Sequence, residues 1–341
     1  MPRHETNINL SSMPLTKKEI LFCILNGFLI GIANLIPGVS GGTFALILGL
    51  YDRLITATTS INGVTLSVTF QFIFGFLNPT KREHFAKEMK RIDFWFLAFL
   101  GMGLLISVIS GAKIIQFLLQ NHPAPTLALF IGLIIPSLSV PYKLIEKHSL
   151  FVWLFIIPGI LLTIVPSFFM GDTAGSENPL IAFITGTVAI SAMILPGISG
   201  SYIMLVLGEY QIVINKLSNI ASMDSILFLS AFAIGCLLGL IIFTHFVKWL
   251  FKKYKSHTMT FLLGLILGSF FILWPFKDYA NGQTVVGRSG EVKRDIQIAT
   301  AKNILPRSLD EMTYPIIALV IGIALGFGLN QLEKLNEEKS K

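Results

Sequence analysis

The sequence predicts an all-α integral membrane protein, polytopic, with two inverted-topology repeats whose helices are broken or re-entrant at a duplicated PG-x-SG motif. Composition, the length of the apolar runs and an internal repeat predict it. Of the 341 residues, 53% are hydrophobic and 13% charged, whereas soluble proteins carry about 25% charged residues. Apolar runs at 94–119, 150–169, 226–250 and 314–329 approach the ~20 residues that cross a bilayer as a helix. Hydrocarbon offers the backbone no partners, so each run must satisfy its own N–H and C=O groups as a helix. The sequence lacks the ~10-residue alternating segments of a membrane β-barrel.

The repeat is direct. GFLIGIANLIPGVSGGTFALILGLY (27–51) matches GTVAISAMILPGISGSYIMLVLGEY (186–210). Pro37 aligns with Pro196, Gly38 with Gly197, Ser40 with Ser199, Gly41 with Gly200, Gly49 with Gly208 and Tyr51 with Tyr210. Downstream, Leu100-Gly101-Met102-Gly103-Leu104-Leu105 resembles Ile234-Gly235-Cys236-Leu237-Leu238, and Phe130-Ile131-Gly132-Leu133-Ile134 resembles Leu262-Leu263-Gly264-Leu265-Ile266. The repeats are expected at 17–170 and 178–330, joined by an extracellular linker at 171–177, with tails at 1–16 and 331–341. The stretch 61–77 has no counterpart in the second half.

Loop charge sets the orientation. Lys81, Arg82, Lys87, Lys90 and Arg91 fill the linker after 61–77, which places it in the cytoplasm. Lys248, Lys252, Lys253 and Lys255 do the same for the end of the run 226–250. The run 94–119 then travels outward and its partner 226–250 inward, so the halves are inverted, a recurrent transporter design. Both tails are expected in the cytoplasm, and the loop 276–313 outside. The net charge of +7 is absorbed by this topology and does not point to nucleic acid. No cleavable signal peptide is expected, because the first 19 residues are polar. Cys23 and Cys236 lie singly within apolar runs and read as small core residues.

The PG-x-SG segments carry the chemistry. Pro37 and Pro196 lack an N–H and disfavour helix at the preceding residue. Gly38, Gly41, Gly42, Gly197 and Gly200 permit close backbone approach, and Ser40 and Ser199 can cap a new helix. Each segment is expected to end one helix and start another at Thr43 and Tyr202. Two helix N-termini with free N–H groups form an anion site. Ser201 adds a hydroxyl to the second break, and Asn34 lies one turn before the first. Asp52, Arg53 and Glu209 sit beside the repeat ends, where ionisable groups in apolar surroundings are functional candidates. Of these, Arg53 is the candidate cation for an anionic head and Glu209 the candidate proton or cation partner. His245 reads as a bonded packing residue. There is no Gly-rich nucleotide loop, metal cluster or nucleophile elbow, so no cofactor is expected and the candidate driving force is a H+ or Na+ gradient.

The doubled Pro37-Gly38-Val39-Ser40-Gly41-Gly42-Thr43 and Pro196-Gly197-Ile198-Ser199-Gly200-Ser201, with their Gly49-Leu50-Tyr51 and Gly208-Glu209-Tyr210 tails, resemble a bacterial family of polyprenyl-phosphate transporters. The resemblance spans about 17 to 330. It implies a flippase of the cytoplasmic membrane that returns undecaprenyl phosphate, the lipid carrier of cell-wall precursors, to the inner leaflet. Its substrate-binding residues would then be those of the two breaks, and its partners the lipid and the bilayer. Two other readings stand beside it. One is an ion-coupled carrier of a small soluble anion. The other is an intramembrane undecaprenyl-pyrophosphate phosphatase, but Gly41 and Gly200 stand where that family's motif has Arg.

Overall fold

The computed structural model describes residues 16–35, 39–169, 175–278 and 301–339. Pro37 and Gly38, the linker residues 171–174, the loop residues 279–300 and most of the N-terminal tail lie outside the described residues. Most of the described residues are helical, and six of the described helical segments are long and apolar enough to cross a membrane.

The first half opens with α1 (Lys17–Asn34), started by a capping box in which Thr16 and Glu19 bond each other's backbone. After the first break come α2 (Gly41–Ile47) and α3 (Tyr51–Ser60). Next are α4 (Gly63–Ile73), capped by Asn62, and α5 (Pro79–Arg91), capped by Asn78 with proline in its first turn. The basic linker expected at 81–91 is therefore a helix. Three candidate spans follow. They are α6 (Phe94–Asn121), then α7 (Pro123–Ile134) running through a 3-10 turn into α8 (Ser139–Leu144), then α9 (Leu150–Trp153) with α10 (Ile156–Ile164).

The second half follows the same order without counterparts to α4 and α5. It comprises α11 (Pro179–Ile194), α12 (Gly200–Val206), α13 (Tyr210–Ser218), α14 (Met223–Lys253), α15 (Lys255–Ile272) and α16 (Leu309–Lys339). A two-stranded ribbon, β1 (Lys277–Asp278) with β2 (Lys302–Asn303), sits between the last two helices.

Helix pairing repeats between the halves. α1 packs along α6 and α11 along α14, while α7 packs against α16 and α15 against α10. The last helix of each half therefore lies on the partner half. Glycines make these crossings. A Cβ on Gly27 would lie 2.0 Å from the Leu100 carbonyl oxygen, and one on Gly186 2.3 Å from that of Phe232. The return contacts are Gly103 on the Ile24 carbonyl and Gly235 on the Phe183 carbonyl. Gly103, rather than Gly101, is thus the partner of Gly235; a Cβ on Gly101 would touch nothing within 4 Å. Gly132 meets Gly322, and Gly159 meets Gly264, at the two exchanged crossings. Such backbone-to-backbone contact is how membrane helices associate where hydrophobic burial gives little drive. Large apolar residues on the outer faces, including Ile109, Leu237 and Ile242, stay exposed.

Candidate functional site

Each break is assembled from local chemistry. α11 stops at Ile194 because Leu195, the residue before Pro196, is extended, with ψ 129°. Ser199 then caps α12 by accepting from the Tyr202 N–H, and Ser40 caps α2 by accepting from that of Gly42. These helices begin at Gly41 and Gly200, two residues before the Thr43 and Tyr202 starts expected from sequence. Each ends after seven residues in a glycine turn. Gly49 (φ 63°) donates to Leu46 O and Leu50 to Ala45 O; Gly208 (φ 76°) donates to Leu205 O and Glu209 to Met204 O. This paired bonding closes a helix on a left-handed residue, which explains the repeated Gly49 and Gly208.

The breaks are tied across the halves. The Ser40 hydroxyl donates to the Leu195 carbonyl at 3.0 Å, and the Gly197 N–H donates to Thr43 Oγ1 at 2.8 Å. Gly42 comes so close to α11 that a Cβ would lie 2.7 Å from Ile194 O. Gly197 holds φ 92°, with Leu265 backbone 2.5 Å from where a Cβ would stand. Ser40, Thr43, Pro196, Gly197 and Ser199 are buried, and Ser201 bonds Ser199 side chain to side chain at 2.7 Å. The breaks thus meet on packed backbone and hydroxyls.

The amides expected to be free are partly occupied. Gly41 N–H donates to Asn34 Oδ1 at 3.0 Å, and Gly42 N–H to Ser40 Oγ at 3.1 Å. The Asn34 amide lies against the Gly41 α-carbon, and its Nδ2 is buried without a partner. Seven-residue helices also have little summed dipole, so any anion held here is held by local N–H groups and Asn34.

Two of the flanking ionisable groups have defined partners. Arg53 is not free. Its Nε and Nη2 bond Asp93 at 2.7 and 3.1 Å, and its guanidinium lies 4.0 Å over the Phe96 ring. Asp93 reaches it from the left-handed residue before α6 (φ 53°). Glu209 is buried, 2% exposed. Its Oε1 accepts from the Ser176 N–H at 2.7 Å, and its Oε2 has no partner. His245 bonds the Ile241 carbonyl one turn back, at 2.7 Å.

Tyr51, Asn26 and Gln211 also bury polar atoms that have no partner; the sequence reading did not select them. Tyr51 stood in plain view in the repeated Gly-x-Tyr, but only the fold shows its hydroxyl unpaired. An apolar groove of about 670 Å³, open mouth included, runs beside α2 between the halves. Gly41, Gly42 and Tyr51 are among its lining residues. Among the described residues, no three His, Cys, Asp or Glu side chains cluster to hold a metal.

Comparison with known proteins gives a consistent result. The family described as undecaprenyl phosphate translocase-like matches residues 30–291. A protein of Vibrio cholerae named polyprenyl-phosphate transporter is 35% identical over 242 residues, covering 70% of this chain and 72% of its own. One of the same name from Staphylococcus aureus is 32% identical over 252 residues, covering 70% of this chain and 81% of its own. No solved structure matches.

Proposed function

We propose that this chain, which belongs to the undecaprenyl phosphate translocase-like family, carries a polyprenyl phosphate across the bilayer. In this reading it returns the lipid from the outer to the cytoplasmic leaflet for reuse in cell-wall synthesis. The difficult part of such a lipid is its phosphate, whose charge is costly in hydrocarbon. The observation that carries the reading is the meeting of the two breaks beside an apolar groove. Polar backbone is tolerated at membrane depth only where protein buries it or water reaches it.

The head group exchanges places with Asn34. A phosphate oxygen takes the Gly41 N–H that the Asn34 carboxamide now holds, and the unpaired Asn34 Nδ2 donates to a second oxygen. The Ser199–Ser201 pair offers hydroxyl donors at the other break. Arg53 acts on this site through its ion pair with Asp93 and not as a direct head-group clamp. The coupling group for a H+ or Na+ gradient is Glu209, a buried carboxyl with one oxygen unpartnered.

The repeats are inverted in this reading, with the broken segments entering and leaving on one face. Support comes from three long spans in each half, an odd number that turns the second half over, and from the exchanged last helices. The basic helix α5 then lies in the cytoplasm together with both tails.

The test is reconstitution of the whole chain in vesicles, following a labelled polyprenyl phosphate between leaflets. The expected result is movement well above protein-free vesicles, with no phosphate released and no competition from soluble phosphate. Movement equal to protein-free vesicles overturns the proposal. Released phosphate would identify a phosphatase, and competition by soluble phosphate a small-anion carrier. Gln in place of Glu209 should retain exchange between leaflets but lose its response to an ion gradient.

A further inference from the structure

We infer that the groove beside α2 is the seat of the first isoprene units of the lipid, with Tyr51 donating a hydrogen bond to an oxygen at its phosphate end. The inference rests on the proposed transport of a polyprenyl phosphate and deepens it, by separating a tail site from the head site at the breaks.

The groove lies between the helix pairs α1/α6 and α11/α14. Ile30, Leu100, Leu104, Ile190, Met193 and Leu240 are among the residues that form its walls. Two threonines that line it add no polarity. Thr58 donates to Leu54 O at 2.7 Å and Thr244 to Leu240 O at 2.6 Å, so each hydroxyl is spent on its own helix. Tyr51 differs. It is 5% exposed, lines the groove, and its hydroxyl is buried without a partner. An unmade hydrogen bond in such a place is costly, and an amphiphile with an acceptor at one end of an apolar chain would satisfy it.

Position fixes which end of the lipid sits there. Gly41 and Gly42 form the groove wall on α2, and Gly41 is also the residue whose N–H the Asn34 carboxamide caps. The head site and the groove therefore share one residue, and a ligand occupying both has its charge next to its apolar chain. The enclosed space is about 180 Å³, below the roughly 300–1,000 Å³ of pockets that hold a whole drug-sized molecule, so the groove takes only the first isoprene units. The rest of the tail leaves through the open mouth.

The experiment uses the whole chain in phosphatidylcholine vesicles with three photoreactive probes. They are a polyprenyl phosphate carrying a diazirine on its first isoprene units, the matching uncharged polyprenol, and a phosphatidylglycerol with a diazirine on its acyl chain. Label is mapped by mass spectrometry, and leaflet movement is followed in parallel. The expected result is that the prenyl phosphate labels α3, α11 and α14 where they line the groove. Leu240→Trp and, separately, Ile190→Trp should cut that label about tenfold, the effect of about 1.4 kcal/mol. Tyr51→Phe should lower capture of the prenyl phosphate more than that of polyprenol, whose uncharged oxygen is the weaker acceptor. Equal labelling by phosphatidylglycerol makes the groove an ordinary lipid contact and overturns the inference. So does unchanged label in both Trp variants while they still move polyprenyl phosphate. Wild-type vesicles that fail to move polyprenyl phosphate overturn the transport proposal instead, a result distinct from either.

Discussion

The contact between Thr43 and Gly197 allows a quantitative test of how the halves are joined. Thr43 is 1% exposed, and its Oγ1 accepts the Gly197 N–H at 2.8 Å. Thr43→Val keeps the shape and removes the acceptor. A buried N–H left without a partner costs about 1–3 kcal/mol. The new methyl also stands where an oxygen made hydrogen-bond contact, and such overpacking adds about 1 kcal/mol or more. Thr43→Ser keeps the oxygen and loses a methyl, about 0.8 kcal/mol. Thr43→Val should therefore destabilise by a further 1 kcal/mol or more, roughly, relative to Thr43→Ser. Gly197→Ala should exceed both. A side chain at φ 92° costs about 1–2 kcal/mol, and its Cβ would stand 2.5 Å from Leu265 backbone. Gly101→Ala is the control, since nothing lies within 4 Å of its Cβ. The assay is the unfolding midpoint in detergent, with leaflet transport measured on the same samples. Equal midpoints for Thr43→Val and Thr43→Ser would show that the cross-half bond does not hold the breaks together.

If Arg53 acts through Asp93, Arg53→Gln and Asp93→Asn should reduce transport equally and the double variant no further; loss in Arg53→Gln alone would mean that Arg53 meets the head group. Arg91 and Thr65 both hydrogen-bond Glu88 and hold its carboxyl down to about 2 from its ordinary 4.5. A depressed carboxylate stabilises above the ordinary value, so packing of α4 on α5 should weaken as pH falls from 4.5 toward 2, and limited proteolysis should show Glu88→Gln losing that dependence. Burial pushes the Lys277 amine down to about 8 from 10.5. Between those values the unfolded chain binds more protons, so stability should rise with pH. Thermal midpoints of Lys277→Met should lack that rise.

What the sequence revealed was what neighbouring residues decide. Serine caps, the extended residue before Pro196 and the left-handed Gly49 and Gly208 are all local, so both breaks could be read with an error of two residues at the helix starts. Partners brought by the fold could not be read. Arg53 looked like a free cation because its acceptor, Asp93, lies forty residues on and reaches it from an unusual backbone angle. Gly101 and Gly103 were equally plausible matches for Gly235, and only the crossing with α1 selects Gly103. The exchange that sets α16 on α7 and α15 on α10 was invisible, because all four segments are apolar enough to span a membrane and either pairing fits the composition.

Chemically, the halves differ at one repeated position. The first half carries Leu50 before its Tyr51, and the second carries Glu209 before its Tyr210. Both residues follow the glycine turn that ends a seven-residue helix, and both donate their N–H back into that helix. The backbone role is therefore shared, and only the side chain distinguishes the ends. On the first side Leu50 packs at the apolar core near Tyr51, which lines the groove and whose hydroxyl is buried without a partner. On the second a buried carboxyl accepts one N–H and leaves one oxygen open. A duplicated fold needs a carboxyl at neither end to close its helices, since Leu50 closes α2 without one. The cost of burying Glu209 is thus not explained by the turn, and it falls at the counterpart of the position that adjoins the groove. Under the proposed transport, that asymmetry assigns ion coupling to the second break and the lipid to the first.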